Sequence, residues 1–200
     1  MGRMNHLTLV TATSVRVKSW SDHGELHRLV MGMFQSASLP GEPNEKRAAS
    51  NILFRVDEAP TGKVLLIRSD IAPTNLPRGA QTKAVSWQMP HAGAAVRFRL
   101  TANAIRRARP VTPAVKRGVG ISPVDDVADW VTNKLTGALD DVTLFSHDRS
   151  VVTSGKSALQ LDVVDGYGLV RDPAALQSLL RVGVGRSKAF GCGLLTVARA

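Results

Sequence analysis

A chain of 200 residues with 44% apolar and 21% charged side chains has room for one large or two small cores and is not compositionally disordered. Its one cysteine, Cys192, excludes an intrachain disulfide or a thiolate-rich zinc site, and no apolar run nears the ~20 residues that span a membrane. A formal charge of +10 asks for a polyanionic partner, nucleic acid by default, and an amino terminus without a signal-peptide core leads to the expectation of a cytoplasmic protein.

Residues His6 to Thr11 alternate Leu7 and Leu9 with polar neighbours, which predicts a first strand. A loop holding Trp20 and Gly24 leads to a helix whose buried face is Leu26, Leu29, Val30 and Met33. Asn51 to Val56 and Lys63 to Arg68 predict two strands joined by a turn at Pro60–Gly62. The next segment, with Pro73 and Pro77, has no clear pattern, and a short strand is expected around Ala84 to Gln88. Met89 to Ala94 reads as a linker.

The second half opens with a strand from Val96 to Ala102, in which Phe98 and Leu100 alternate with Arg97 and Arg99. A helix is expected over Pro123 to Leu139, with Asp125 and Asp126 in its first turn, where negative charge suits the helix dipole. Strands at Val142–Phe145 and Leu159–Val164 follow, then a helix from Asp172 as N-cap and Pro173 as first residue to about Arg181. A last strand runs from Leu194 to Ala198. Both halves approximate βαββαβ, so the expected architecture is α+β, two tandem ferredoxin-like (RRM-like) domains over 1–90 and 96–200 joined by 91–95.

Between Asp70 and Asp125 the chain has no acidic residue but carries Arg78, Lys83, Arg97, Arg99, Arg106, Arg107, Arg109, Lys116 and Arg117. Local ion pairs cannot neutralise such a stretch, and a one-signed field is what a phosphate-binding surface needs. Arg106, Arg107, Arg109, Lys116 and Arg117 fall on a loop with Pro110, Pro113 and Gly118 that could follow an RNA stem. An aromatic content of 4% argues against a sheet face that stacks bases on paired Phe and Tyr. His6, His23, His27, His91 and His147 show no metal-ligand spacing, so neither metal nor cofactor is expected.

The sharpest local feature is the tail Gly183-x-Gly185-Arg186-x-Lys188-x-x-Gly191-Cys192-Gly193-Leu194-Leu195. Four glycines allow positive φ and could expose successive N–H groups to an anion, with Arg186 and Lys188 adding charge. It matches neither a Walker loop nor a Rossmann fingerprint. The tail resembles the carboxy-terminal glycine-rich signature of the CRISPR repeat endoribonucleases, and its GCGLL ending resembles the CasE type of type I-E Cascade. Trp20-Ser21 with Leu26-His27, Phe98-Arg99-Leu100-Thr101-Ala102-Asn103, and Gly155-Lys156-Ser157 followed by Gly166-x-x-Leu169-x-x-Asp172-Pro173 resemble further family segments in the family's order.

The resemblance implies two ferredoxin-like domains, metal-free cutting of CRISPR repeat RNA beside its hairpin, and retention of the product among the other Cascade subunits. His27 matches the family's catalytic histidine and sits at the edge of its helix's apolar face, and an imidazole titrates near operating pH. Lys156 is the second catalytic candidate, an ammonium to stabilise charge at the scissile phosphate. Arg97, Arg99, Arg106, Arg107, Arg109, Lys116, Arg117, Gly183, Gly185, Arg186, Lys188, Gly191 and Gly193 form the expected RNA-binding set. The family's usual tyrosine three residues before the histidine is Gly24 here, and the only tyrosine is Tyr167. A non-catalytic RNA-binding subunit, with His27 merely structural, is the competing reading.

Overall fold

Two four-stranded antiparallel sheets organise the computed structural model, which describes residues 5–107, 121–154 and 157–200. The chain runs β1 (Asn5–Thr11), α1 (His23–Gly32), α2 (Lys46–Ala49), β2 (Leu53–Ala59), β3 (Gly62–Ser69) and β4 (Gln81–Val85). It continues through β5 (Ala95–Ala102), β6 (Ile105–Arg107), β7 (Ile121–Pro123), α3 (Val127–Leu135), β8 (Leu139–Ser154), β9 (Ser157–Val170), α4 (Pro173–Val182) and β10 (Leu195–Arg199). Strand orders are β2-β3-β1-β4 and β10-β5-β9-β8. In each sheet the first and third strands in chain order lie at the centre, which is the ferredoxin-like arrangement expected for both halves.

Each sheet covers one face with helix. Leu26 and Val30 of α1 join Val10, Phe54, Leu65 and Ile67 in the first core. Val131 and Leu135 of α3 and Leu176 and Leu180 of α4 meet Val96, Phe98, Leu100 and Val164 in the second. Helix starts follow the sequence signals. Asp22 accepts the N–H groups of Gly24 and Glu25 at 2.9 and 3.0 Å, and Asp172 accepts that of Ala174 at 2.8 Å beside Pro173. Among the described residues no helix is long and apolar enough to cross a membrane.

Four sequence expectations shift. No helix forms between β3 and β4, where Pro73 and Pro77 interrupt the backbone ladder, and the short α2 stands before β2 instead. The strand expected at Ala84–Gln88 is β4, Gln81–Val85. The helix expected from Pro123 begins only at Val127: Pro123 ends β7, and Asp126 is the N-cap, accepting from Asp129 N–H at 2.9 Å. The strands at Val142–Phe145 and Leu159–Val164 are the cores of a hairpin more than twice as long, β8–β9. Its outer arm, Ser146 to Ser150, is exposed on successive residues, so no alternation marked it as strand.

The acid-free stretch also finds its carboxylates at long range. Arg99 donates to both oxygens of Asp165 at 2.7 and 2.8 Å and lies 3.7 Å from Asp57, and Arg106 pairs with Asp125 at 2.8 Å. Spacing along the chain reveals only near neighbours, and these carboxylates arrive by strand pairing and tertiary folding. Between the two sheets, Arg55 of β2 reaches Thr196 Oγ1 of β10 at 2.8 Å, and buried Arg68 donates to the Arg181 carbonyl of α4 at 2.6 Å.

Candidate active site

α1, α2 and the glycine-rich tail meet around a cleft of about 370 Å³ lined by His27, Met31, Lys46, Arg47 and Ala189 among others. α1 presents His27 at the margin of its buried face: Leu26 and Val30 are buried, while His27 is half-buried. Its Nδ1 is buried and makes no hydrogen bond of ordinary geometry, and the residue lines the cleft. Burial first, then the charges of Arg47 and Arg28, push the imidazole below its ordinary value, with the Ala189 backbone opposing. The neutral ring, a proton acceptor, therefore dominates at neutral pH.

His23, one turn earlier, is its structural counterpart. It is buried, and its Nδ1 donates to the Phe190 carbonyl at 2.8 Å. Burial also lowers its pKa, partly offset by that carbonyl. The backbone at Gly191 passes so close that a Cβ there would stand 3.0 Å from the His23 ring. One histidine of α1 thus anchors the tail through a well-formed hydrogen bond, and the other makes none of that quality at its buried Nδ1.

Arg47 was not legible as a site residue. It lies on the single turn of α2, donates to the Ile52 carbonyl at 2.9 Å, and acts electrostatically on both His27 and Lys188. Burial lowers the pKa of Lys188, and Arg47 lowers it further. Lys46 beside it is held by the Ser36 carbonyl and hydroxyl at 2.8 and 2.9 Å. The only hint in the sequence was Lys46-Arg47 itself, which says nothing of its neighbours until α2 folds against α1.

The N–H groups at both ends of the tail are bonded within the fold. Gly183 N–H donates to Leu179 at 2.8 Å, Val184 N–H to Gly193 at 2.9 Å, and Gly193 N–H to Thr101 at 2.6 Å. Gly183 and Gly193 have φ of +81° and +87°, and a Cβ on either would stand 2.8 Å from a carbonyl oxygen of the facing segment. These two glycines let the tail lie against itself and β5. Gly185, also at positive φ, lies against Trp130. Gly193→Ala is expected to cost about 2–5 kcal/mol, a backbone penalty plus overpacking, read as a lowered urea midpoint. Arg186 stays exposed, and Ser187 Oγ donates to Asn103 Oδ1 at 3.1 Å.

Lys156, Arg109, Lys116 and Arg117 lie outside the described residues, as does the side chain of Arg107. β8, which precedes Lys156, is tethered to the segment just before α1, because Thr153 N–H and Oγ1 both donate to the Ser21 carbonyl, at 2.8 and 3.1 Å. The hairpin is stiffened at buried Asp162, which accepts from His147, Arg149, Gln160 and Ala104 N–H. Burial would raise that carboxyl, but the Arg149, Gln160 and His147 hydrogen bonds hold it below the usual range. Arg97 and Tyr167 stand together on the outer face of the second sheet, and Tyr167 does not line the His27 cleft. Gly24 is buried in the first turn of α1. Among the described residues, no three His, Cys, Asp or Glu side chains converge as metal ligands.

The family model described as "CRISPR associated protein" matches residues 4–199. The chain is 29% identical over 204 residues to the Cascade subunit CasE of Escherichia coli, covering 90% of this chain and 94% of that one. The crystal structure of Cas6e from Escherichia coli superposes with a TM-score of 0.70 at 26% identity, over 98% of this chain and all of that one. Thermus thermophilus Cse3, bound to an RNA representing a pre-cleavage complex, shares the fold with a TM-score of 0.73 at 21% identity, over 98% and 99% of the two chains.

Proposed function

The chain belongs to the CRISPR-associated protein family, and we propose on that premise that it is an endoribonuclease. In this reading it cuts CRISPR repeat RNA beside the hairpin and stays bound to the product as a Cascade subunit in the cytoplasm. The observation that carries the reading is a half-buried histidine, unpaired at Nδ1, in a cleft walled by cations. A core histidine satisfies its buried nitrogen, as His23 does. His27 instead leaves its buried Nδ1 unpaired and stands near Arg47, whose charge favours the neutral ring and would attract an anion into the cleft.

The substrate supplies the nucleophile. Its 2′-hydroxyl oxygen attacks the adjacent phosphorus while the proton passes to Nε2 of His27, so the lowered pKa suits the task. The bond from phosphorus to the 5′-oxygen breaks, and that oxygen takes a proton. Products are a 2′,3′-cyclic phosphate and a 5′-hydroxyl. No metal enters this scheme. Arg47 and Lys156 stabilise the pentavalent anion, a reading of Lys156 supported by the hairpin's tether to Ser21. Lys188, an ammonium weakened by burial and by Arg47, is suited to give the leaving oxygen its proton in place of the family tyrosine. Arg106, Arg107, Arg109, Lys116, Arg117 and Arg186 supply charge along the RNA stem. Arg99 contributes less, being already held by Asp165.

The test is a pH series with end-labelled repeat RNA at sub-saturating protein, which reports on free-protein groups. Wild-type protein should shorten the RNA, with the acid-limb midpoint below the ordinary imidazole value of 6.5. Arg47→Met removes a charge that disfavours the imidazolium, so the midpoint should move up toward 6.5 whatever happens to the maximal rate. RNA bound but uncut would mark a non-catalytic RNA-binding subunit. An unmoved midpoint would separate Arg47 from His27.

A further inference from the structure

The outer face of the second sheet, opposite α3 and α4, carries a cluster that the cleavage site does not use. Arg97 on β5 pairs in register with Tyr167 on β9, and Phe145 on β8 lies next to Tyr167 with ring centroids 4.9 Å apart. The Arg97 guanidinium carbon is 5.8 Å from both ring centroids. Phe145 is 50% exposed, Tyr167 43% and Leu169, next on that face of β9, 38%. Phe145 falls at a register shift between Leu144 and Ser146, an extra residue that aims its ring at Tyr167.

We propose that this face is a second RNA site, which stacks unpaired nucleotides flanking the hairpin on Arg97, Tyr167 and Phe145. The inference rests on the RNA-processing reading above and extends it from stem to single strand. Three observations carry it. First, the residues occupy adjoining central and neighbouring strands of a ferredoxin-like sheet, on the face left bare of helices; on such sheets aromatic rings stack bases, and a guanidinium plane can do the same. Second, an exposed apolar patch with a cation beside its rings complements a base with its phosphate, and the chain's formal charge is +10. Third, nearby carboxylates are neutralised: Asp165 is held by both arms of Arg99, and Asp140 pairs with Arg171 at 3.4 Å. Low aromatic content argued against such a face, but content is an average, and two rings suffice where folding brings them together.

The experiment uses the full chain and a repeat hairpin RNA blocked against cleavage by a 2′-deoxy sugar. Affinity is measured with and without a short unpaired extension on either side of the stem. For wild type, one extension should tighten binding by roughly 5- to 100-fold per stacked base. In Phe145→Ala/Tyr167→Ala that gain should vanish, while affinity for the bare hairpin stays within about twofold. The Phe145→Leu/Tyr167→Leu pair keeps the apolar area and guards against a folding defect; it should lose the gain as well. An extension carrying 5-iodouracil should photocrosslink to the peptide containing Tyr167. No gain from either extension in wild type, or a gain that survives both double variants, overturns the proposal and leaves the patch to a protein partner. Failure to bind even the bare hairpin would refute the RNA-processing reading, a different outcome from either of these.

Discussion

His27→Ala should lower the single-turnover cleavage rate of repeat RNA by about 10²–10⁴-fold, the usual contribution of a positioned acid–base group. The dissociation constant for the hairpin should change by less than about threefold. The expectation follows from how His27 is held. α1 is anchored by Leu26 and Val30, both essentially inaccessible, so it does not depend on the half-buried ring beside them. The buried Nδ1 has no hydrogen bond to lose. Truncation therefore removes a proton acceptor and only a minor contact with the Ala189 backbone, and the urea midpoint should fall by little. His23→Ala makes the contrasting control. It leaves the Phe190 carbonyl without its donor and opens space beneath Gly191, so stability should fall first and activity with it. If His27→Ala cuts at the wild-type rate, or loses binding and cutting in equal measure, His27 is a structural residue and the proposed chemistry is wrong.

Much of the fold could be read from residue spacing because local rules and tertiary structure agreed. Asp172-Pro173 started α4, and the Leu26/Val30 stripe gave α1 its buried face. Where they disagreed, the cause was distance along the chain. The outer arm of β8 is strand because β9 pairs with it, not because its own side chains alternate. Arg99 looked free of carboxylates since Asp165 is 66 residues away in sequence and becomes a neighbour only through β5–β9 pairing.

The site divides in the same way. His27, Lys188 and the glycines belong to motifs and could be singled out, and Gly183 and Gly193 also serve close packing. Arg47 belongs to no motif, and its importance comes from α2 folding beside α1. The likeness that named His27 also supplied a tyrosine that this chain lacks. The structure offers Lys188 near the cleft, and Tyr167 stands elsewhere, on the outer sheet face.

The central claim is that the RNA's own 2′-hydroxyl is the nucleophile, with protein side chains moving the protons. A repeat RNA with a single 2′-deoxy sugar just 5′ of the cut keeps its phosphates and its hairpin. It should bind with wild-type affinity, yet its cleavage should fall below detection, a loss of at least about 10⁴-fold because the attacking oxygen is gone. In the proposed scheme Lys156 and Arg47 stabilise charge and supply no nucleophile, so they should not compensate. The direct measurement is mass spectrometry of the upstream fragment from unmodified RNA cut in excess EDTA. A 2′,3′-cyclic phosphate end, formed at the metal-containing rate, is the result predicted here. A 3′-hydroxyl end, or cutting that stops with EDTA, would mean that water attacks with the help of a metal ion and would contradict it.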